Sequence, residues 1–203
     1  MTKFENVSFS YGEKPIIVDW TFSIPETGVT CLFGPSGCGK TTVFRLLCGL
    51  EAVSSGQIVD GPKCPAVVFQ EDRLLPWISV LENVLLGISD NPTKEDQAEA
   101  QAMLESVGLG DMANAYPEEL SGGMSRRVAL VRALLHKGDM LLLDEPFAGL
   151  EEDRIRNVAE TILKEAQRKP VMLITHKKEE AEWLHAHIVD LSDNPSFPHK
   201  KMI

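Results

Sequence analysis

No apolar run in these 203 residues comes near the ~20 a membrane-spanning helix needs; the longest, such as residues 140–143 and 66–69, are a few residues each. The chain is therefore not expected to cross a bilayer. No run of Lys and Arg interleaved with aromatics occurs, and the formal net charge is -10, which argues against a nucleic-acid groove or direct attraction to anionic lipid. The N-terminal Met1-Thr2-Lys3-Phe4-Glu5-Asn6 lacks the apolar core of a secretory signal. Only four cysteines are present, none in a C-x-x-C pair, so reduced cytosolic thiols are expected at Cys31, Cys38, Cys48 and Cys64. Internal repeats, low-complexity segments and long linkers are all missing. A chain of this length can bury roughly 70–75% of its unfolded surface, enough for one substantial core and a small inserted subdomain.

What is there reads as α/β. Residues 4–10 and 16–24, rich in Val, Ile, Phe and Trp and separated by Tyr11-Gly12-Glu13, predict two antiparallel strands at a sheet edge. Apolar runs at 29–33, 66–69, 140–143, 171–175 and 188–191 alternate with helical patterns, which predicts a mainly parallel sheet. Between residue 71 and about residue 137 the strand signal stops. Residues 80–86, 94–107 and 121–135 read as helices, so this interval is expected to be a helical insert in the α/β core.

Gly34-Pro35-Ser36-Gly37-Cys38-Gly39-Lys40-Thr41 meets every fixed position of G-x-x-x-x-G-K-[ST], between a predicted strand and a predicted helix. Its glycines let backbone N–H groups curl round phosphate oxygens, and the helix that follows adds its free N-terminal donors. Lys40 would reach the β- and γ-phosphates, and the Thr41 hydroxyl would sit on Mg²⁺. Alone, this loop specifies nucleotide phosphates and leaves kinases, GTPases and ATPases open. Met140-Leu141-Leu142-Leu143-Asp144-Glu145 delivers two carboxylates to the C-terminal end of a strand, where α/β sheets place ligands. Successive strand side chains diverge, so Asp144 is suited to Mg²⁺ through water and Glu145 to activating the attacking water. His176 follows another strand at the same predicted edge, within reach of the γ-phosphate or the water. Leu120-Ser121-Gly122-Gly123 opens a helix; read locally it is an ordinary cap, yet a Ser hydroxyl and two amides could also bind an anion. One nucleotide has one γ-phosphate, so such a site makes sense if it completes the site of a second copy.

In this order the motifs resemble those of the ATP-binding cassette (ABC) transporter ATPases, over nearly the whole chain. The resemblance implies a phosphate-loop NTPase core with an N-terminal antiparallel β subdomain and an inserted α-helical subdomain. It makes residues 1–203 one ABC ATPase domain, with core at 1–70 and 138–203 and a signature-bearing insert at 71–137. It matches Tyr11 to the aromatic that stacks on adenine, and Gly34, Pro35, Ser36, Gly37, Cys38, Gly39, Lys40, Thr41 and Thr42 to the ATP phosphate loop. Gln70 matches the glutamine that links Mg²⁺ to the membrane partner's docking surface. Asp144 and Glu145 match the acidic pair, Glu145 as general base, and His176 the switch histidine. Ser121, Gly122 and Gly123 match the signature that binds ATP across a dimer. Met124 stands where the family usually has Gln, Glu151 where it often has Asp, and Lys177 where it often has an acid. None of these removes a phosphate, metal or water-activating group, so hydrolysis is expected to survive. Asp72-Arg73-Leu74-Leu75-Pro76-Trp77 is similar to the subgroup that energises uptake of nitrate, sulfonates and taurine. The partners so implied are a second copy, an integral-membrane permease and a solute-binding protein, with the chain peripheral on the cytoplasmic face. Two other classes fit parts of the pattern. A soluble cassette acting as an assembly or adaptor factor shares the motifs, and a phosphate-loop kinase shares only the loop.

Overall fold

The computed structural model describes residues 1–69 and 71–198. Gln70, an expected metal and catalytic residue, lies outside the described residues. Five parallel strands form the central sheet: β3 (Gly28–Phe33), β5 (Pro65–Val68), β6 (Met140–Asp144), β7 (Pro170–Ile174) and β8 (His187–Asp190), in the order β5-β6-β7-β3-β8. Every residue of β6 is buried, as expected for a strand covered on both faces. The two faces feed two cores. Leu141, Leu143, Val171 and Leu173 join one, while Met140, Leu142, Met172 and Ile174 join the other, following the two-residue side-chain period.

The second face is covered by α1 (Lys40–Leu47) and by a separate antiparallel sheet of β1 (Lys3–Tyr11), β2 (Lys14–Ser23) and β4 (Ser55–Val59), ordered β2-β1-β4. The expectation that the first two strands lie at one sheet edge is corrected here: β1 is the middle strand of a sheet of its own. Its partner β4 escapes sequence reading, because Ser-Gly-Gln-Ile-Val shows neither alternation nor an apolar run and stays partly or fully exposed. Gly56 sits at φ +75, where an added Cβ would lie 2.3 Å from the Asn6 carbonyl oxygen, so only glycine lets the two strands meet.

Between β5 and β6 the described residues form helices and turns only: α2 (Val80–Leu85), α3 (Lys94–Ser106) and α4 (Gly122–Leu135). Capping boxes start two of them, Ser79 with Glu82 on α2 and Thr93 with Asp96 on α3. From Val128 onward α4 is buried almost all round, packed between α2 and β5. Gly87 permits the close crossing; a Cβ there would lie 2.3 Å from the Arg132 carbonyl oxygen. Asn83, fully buried on α2, ties down the preceding segment. Its amide donates to the carbonyls of Leu75 (3.1 Å), Ile78 (3.3 Å) and Ser79 (3.0 Å), and its Oδ1 accepts from the Leu75 N–H (2.8 Å). Next to this anchor, Trp77 is 70% exposed. The two remaining helices, α5 (Glu152–Ala166) and α6 (Lys178–Trp183), follow β6 and β7. Among the described residues no helix is long and apolar enough to cross a membrane.

Candidate functional site

The C-terminal ends of β3, β6 and β7 are neighbours in the sheet, and each delivers one part of the site. After β3 the chain turns through Gly34, Gly37 and Gly39, all at positive φ, before α1 begins at Lys40. The Lys40 ammonium lies within the curl of this loop, donating to the carbonyls of Gly34 (2.7 Å) and Pro35 (2.9 Å). Cys38 is buried against the loop, its Sγ 3.9 Å from Lys40 Nζ. Ser36, Gly37, Gly39, Lys40, Thr41 and Thr42 line a cavity of about 310 Å³, shared with Tyr11, Asp144 and Glu145. A larger cavity of about 780 Å³ lies by the opposite strand ends, next to Asp139 and Pro170, but its buried Lys169 is already paired with Glu165 at 2.9 Å.

β6 ends at Asp144, and the two carboxylates part because Glu145 leaves the strand in a left-handed turn, not through the strand alternation expected of them. Asp144 accepts from the Thr41 hydroxyl at 3.3 Å, while Glu145 Oε1 is 2.9 Å from His176 Nδ1. A carboxylate accepts, so Nδ1 is the donor of that pair. Burial pushes the Asp144 carboxyl above its ordinary range; the Thr41 hydrogen bond opposes this, the neighbouring Glu145 adds to it, and Arg126 and Lys40 oppose it more weakly. Glu145 takes the left-handed conformation, φ 51, just past the last ladder residue. His176 is brought alongside by β7, whose end is held by the buried pair Thr175 and Glu180.

Thr41 and Asp144 present a hydroxyl and a carboxylate side by side at the phosphate loop. Two hard oxygen donors of this kind fit Mg²⁺, which keeps several waters and takes its remaining ligands from phosphates. Among the described residues no group of three or more His, Cys, Asp and Glu could hold a metal ion.

Tyr11 stands at the cavity rim, 42% exposed, its ring edge-on to Phe9. Its hydroxyl donates to Glu51 (3.2 Å) and accepts from Arg45 (3.4 Å), a tether that sequence reading did not find because Tyr11 lies far in the chain from both partners. Ser121, Gly122 and Gly123 do not join this cavity. Ser121 caps α4 through the Met124 N–H (3.3 Å), and all three residues face solvent. Gly123 lies near Gly149 on the loop after the acidic pair; a Cβ added at Gly149 would lie 3.8 Å from Gly123 Cα. The three residues that depart from the family pattern are engaged locally. Met124 packs against the core, Glu151 pairs with Arg154 (3.3 Å), and Lys177 pairs with Glu180 (3.4 Å). Also missed from sequence is Arg126, one turn into α4, which donates to the carbonyls of Asp144 (2.7 Å) and Glu145 (3.2 Å).

Known proteins share this family and fold. Residues 17–148 match the family described as ABC transporter. The chain is 42% identical over 192 residues to the aliphatic sulfonates import ATP-binding protein SsuB 1 of Paracoccus denitrificans (strain Pd 1222), covering 92% of this chain and 77% of that one. It is 41% identical over 186 residues to the taurine import ATP-binding protein TauB of Rhizobium johnstonii (strain DSM 114642 / LMG 32736 / 3841), covering 86% and 71%. Its fold superposes on the dimeric, post-hydrolysis structure of the ATP-binding cassette MJ0796 bound to ADP and Pi, with a TM-score of 0.80, 27% identity and 95% of each chain covered.

Proposed function

Since the chain belongs to the ABC transporter family and is an ATPase of that family, we propose that two copies close around ATP and energise a transmembrane permease for solute import. The reading makes residues 1–203 one ABC ATPase domain with a helical insert at 71–137. One observation carries it. The phosphate loop and acidic pair line one cavity and His176 contacts Glu145 beside it, while Ser121 to Gly123 open a helix toward solvent, available to a second copy. That each of the relatives above carries the words import ATP-binding protein in its name supports import, of small sulfonates or taurine or solutes of that kind.

The chemistry follows from the positions. Loop amides and the α1 N-terminus hold the β- and γ-phosphates, and Lys40 exchanges the carbonyls of Gly34 and Pro35 for phosphate oxygens. Tyr11, held by Glu51 and Arg45, stacks on the adenine. Thr41, with Asp144 through water and Gln70, would hold Mg²⁺, whose charge neutralises the phosphate oxygens. Glu145 takes a proton from the attacking water as the bond from the β,γ-bridging oxygen to the γ-phosphorus breaks, giving ADP and phosphate. His176 orients Glu145 through the 2.9 Å contact and presents its other ring nitrogen to the γ-phosphate. Ser121, Gly122 and Gly123 of one copy bind the γ-phosphate held by the other, so closure requires ATP. Segment 73–77, with Trp77 exposed beside the Asn83 anchor, meets the permease, which keeps the chain on the cytoplasmic face of the membrane. A solute-binding protein delivers cargo to the other side.

The test uses Glu145→Gln, which holds ATP short of hydrolysis. With ATP and Mg²⁺, light scattering behind size exclusion is expected to show a dimer, reverting to monomer with ADP. Monomer alone at saturating ATP rejects closure without the permease. Co-purification with a permease chain supports import, and co-purification with soluble partners alone supports an assembly or adaptor role.

A further inference from the structure

Glu145 holds a backbone conformation that its own side chain disfavours. At φ 51 an L-residue's Cβ crowds the backbone, and such strain persists where surrounding contacts impose it. Two contacts do so here. The Glu145 N–H donates to the Ile174 carbonyl of β7 at 2.8 Å, and Arg126 Nη2 donates to the Asp144 and Glu145 carbonyls at 2.7 and 3.2 Å. One guanidinium nitrogen thus spans two successive carbonyls at the point where β6 ends. The left-handed turn it braces sends the Glu145 carboxylate into the cavity and against His176.

The element that carries Arg126 matters as much as the contact. α4 begins at Gly122, with Ser121 as its cap, and Arg126 follows one turn later. The helix start therefore reaches Glu145 through a single rigid turn. Gly123 also lies near Gly149, on the loop that leaves the acidic pair.

We propose that Arg126 is a positioning residue: it fixes the backbone of Glu145 and makes its alignment depend on what is bound at Ser121 to Gly123 of the same chain. This rests on the reading of Glu145 as the base and of residues 121–123 as half of a second copy's ATP site. Within the dimer each chain then senses the nucleotide held by its partner before its own water is activated. The coupling runs inside one chain, from α4 to β6.

The experiment compares wild type with Arg126→Gln and Arg126→Met, which keep the stem but lose the charged fork, and with Arg126→Lys. Rates are measured against ATP concentration, and binding of a fluorescent ATP analogue is measured separately. Misplacing the base is expected to lower kcat on the order of 10- to 100-fold, with analogue affinity unchanged and the Hill coefficient falling toward one. Arg126→Lys restores part of kcat through a single donor. Wild-type kcat in Arg126→Gln overturns the proposal, and so does a parallel loss of kcat and analogue affinity, the mark of a merely structural role. Reduced kcat with unchanged cooperativity overturns the link to the second site. Should Arg126→Gln fail to fold by circular dichroism, Arg126→Met decides by the same outcomes. Glu145→Gln serves as control: full turnover there rejects Glu145 as base, a failure separate from that of Arg126.

Discussion

Removing the amide of Asn83 tests whether one buried side chain holds the segment that presents Trp77. In Asn83→Ala the Leu75 N–H loses its acceptor, and the Leu75 and Ile78 carbonyls lose a donor. The Ser79 carbonyl keeps the Asn83 N–H at 2.9 Å and is the group least affected. Three polar groups left short at about 1 kcal/mol each, with Leu75 and Ile78 half-buried and partly open to water, give a loss of about 2–3 kcal/mol. For a chain of this size that lowers the melting temperature by roughly 4–12 °C. Hydrogen exchange resolves the location. The Leu75 amide should exchange roughly 30- to 140-fold faster than in wild type, the same free energy expressed as a rate ratio. Strand β6, part of the sheet core, should keep its protection relative to the global unfolding limit. Hydrolysis by the isolated chain should persist, because Asn83 touches no residue of the nucleotide cavity, while stimulation by a permease should fall. A melting shift below about 1 °C with unchanged exchange at Leu75 would refute the claim that this amide organises the segment.

Three further outcomes follow from the geometry. Burial raises the Asp144 pKa above its unfolded value, so its contribution to stability is fully present below the unfolded pKa and is lost as pH rises through the folded one. Asp144→Asn should therefore melt higher than wild type at neutral pH, with the gap closing as pH falls into the carboxylate range, while hydrolysis is lost; melting curves from about pH 4 to pH 8 check the trend, and a constant gap rejects it. Gly87→Ala forces a methyl to within 2.3 Å of the Arg132 carbonyl oxygen, and should destabilise by about 1–3 kcal/mol in urea titration. Among the thiols, burial pushes Cys31 up to about 12 and Cys48 up to about 11, whereas Cys64 is exposed. Iodoacetamide followed by mass spectrometry should label Cys64 first and Cys31 only on unfolding; equal rates in the native protein would contradict the burial.

How much could be read before the structure depended on how local each signal is. The phosphate loop is eight consecutive residues with fixed glycines, and the strand before it and helix after it lie where the pattern predicts. The inner parallel strands β3, β6 and β7 were visible as apolar runs because both faces of the sheet are covered there, whereas the edge strand β8 is mostly exposed. β4 was invisible for the opposite reason: it is held by pairing with β1 and by a glycine contact, neither of which leaves an apolar trace. The Arg126 clamp and the Arg45, Tyr11 and Glu51 tether are likewise made by residues distant in sequence. An arginine on a polar helix start and a glutamate after a helix look like solvated surface until tertiary packing brings their partners to them. Gln70 stays an expectation from sequence, outside the described residues.

The strand order has a consequence for how such a chain is made. β3, which leads into the phosphate loop, finds its neighbours in β7 and β8 near the far end of the chain, and Thr41 meets Asp144 across 103 residues. During synthesis the loop leaves the ribosome long before the strands that flank it, and closing so many distant contacts is slow. A nascent or truncated copy can display the complete phosphate-loop sequence yet lack Glu145 and His176. The topology thus ties assembly of the site to synthesis of β6 and β7: a chain interrupted before them carries the loop without the carboxylates and the histidine it works with.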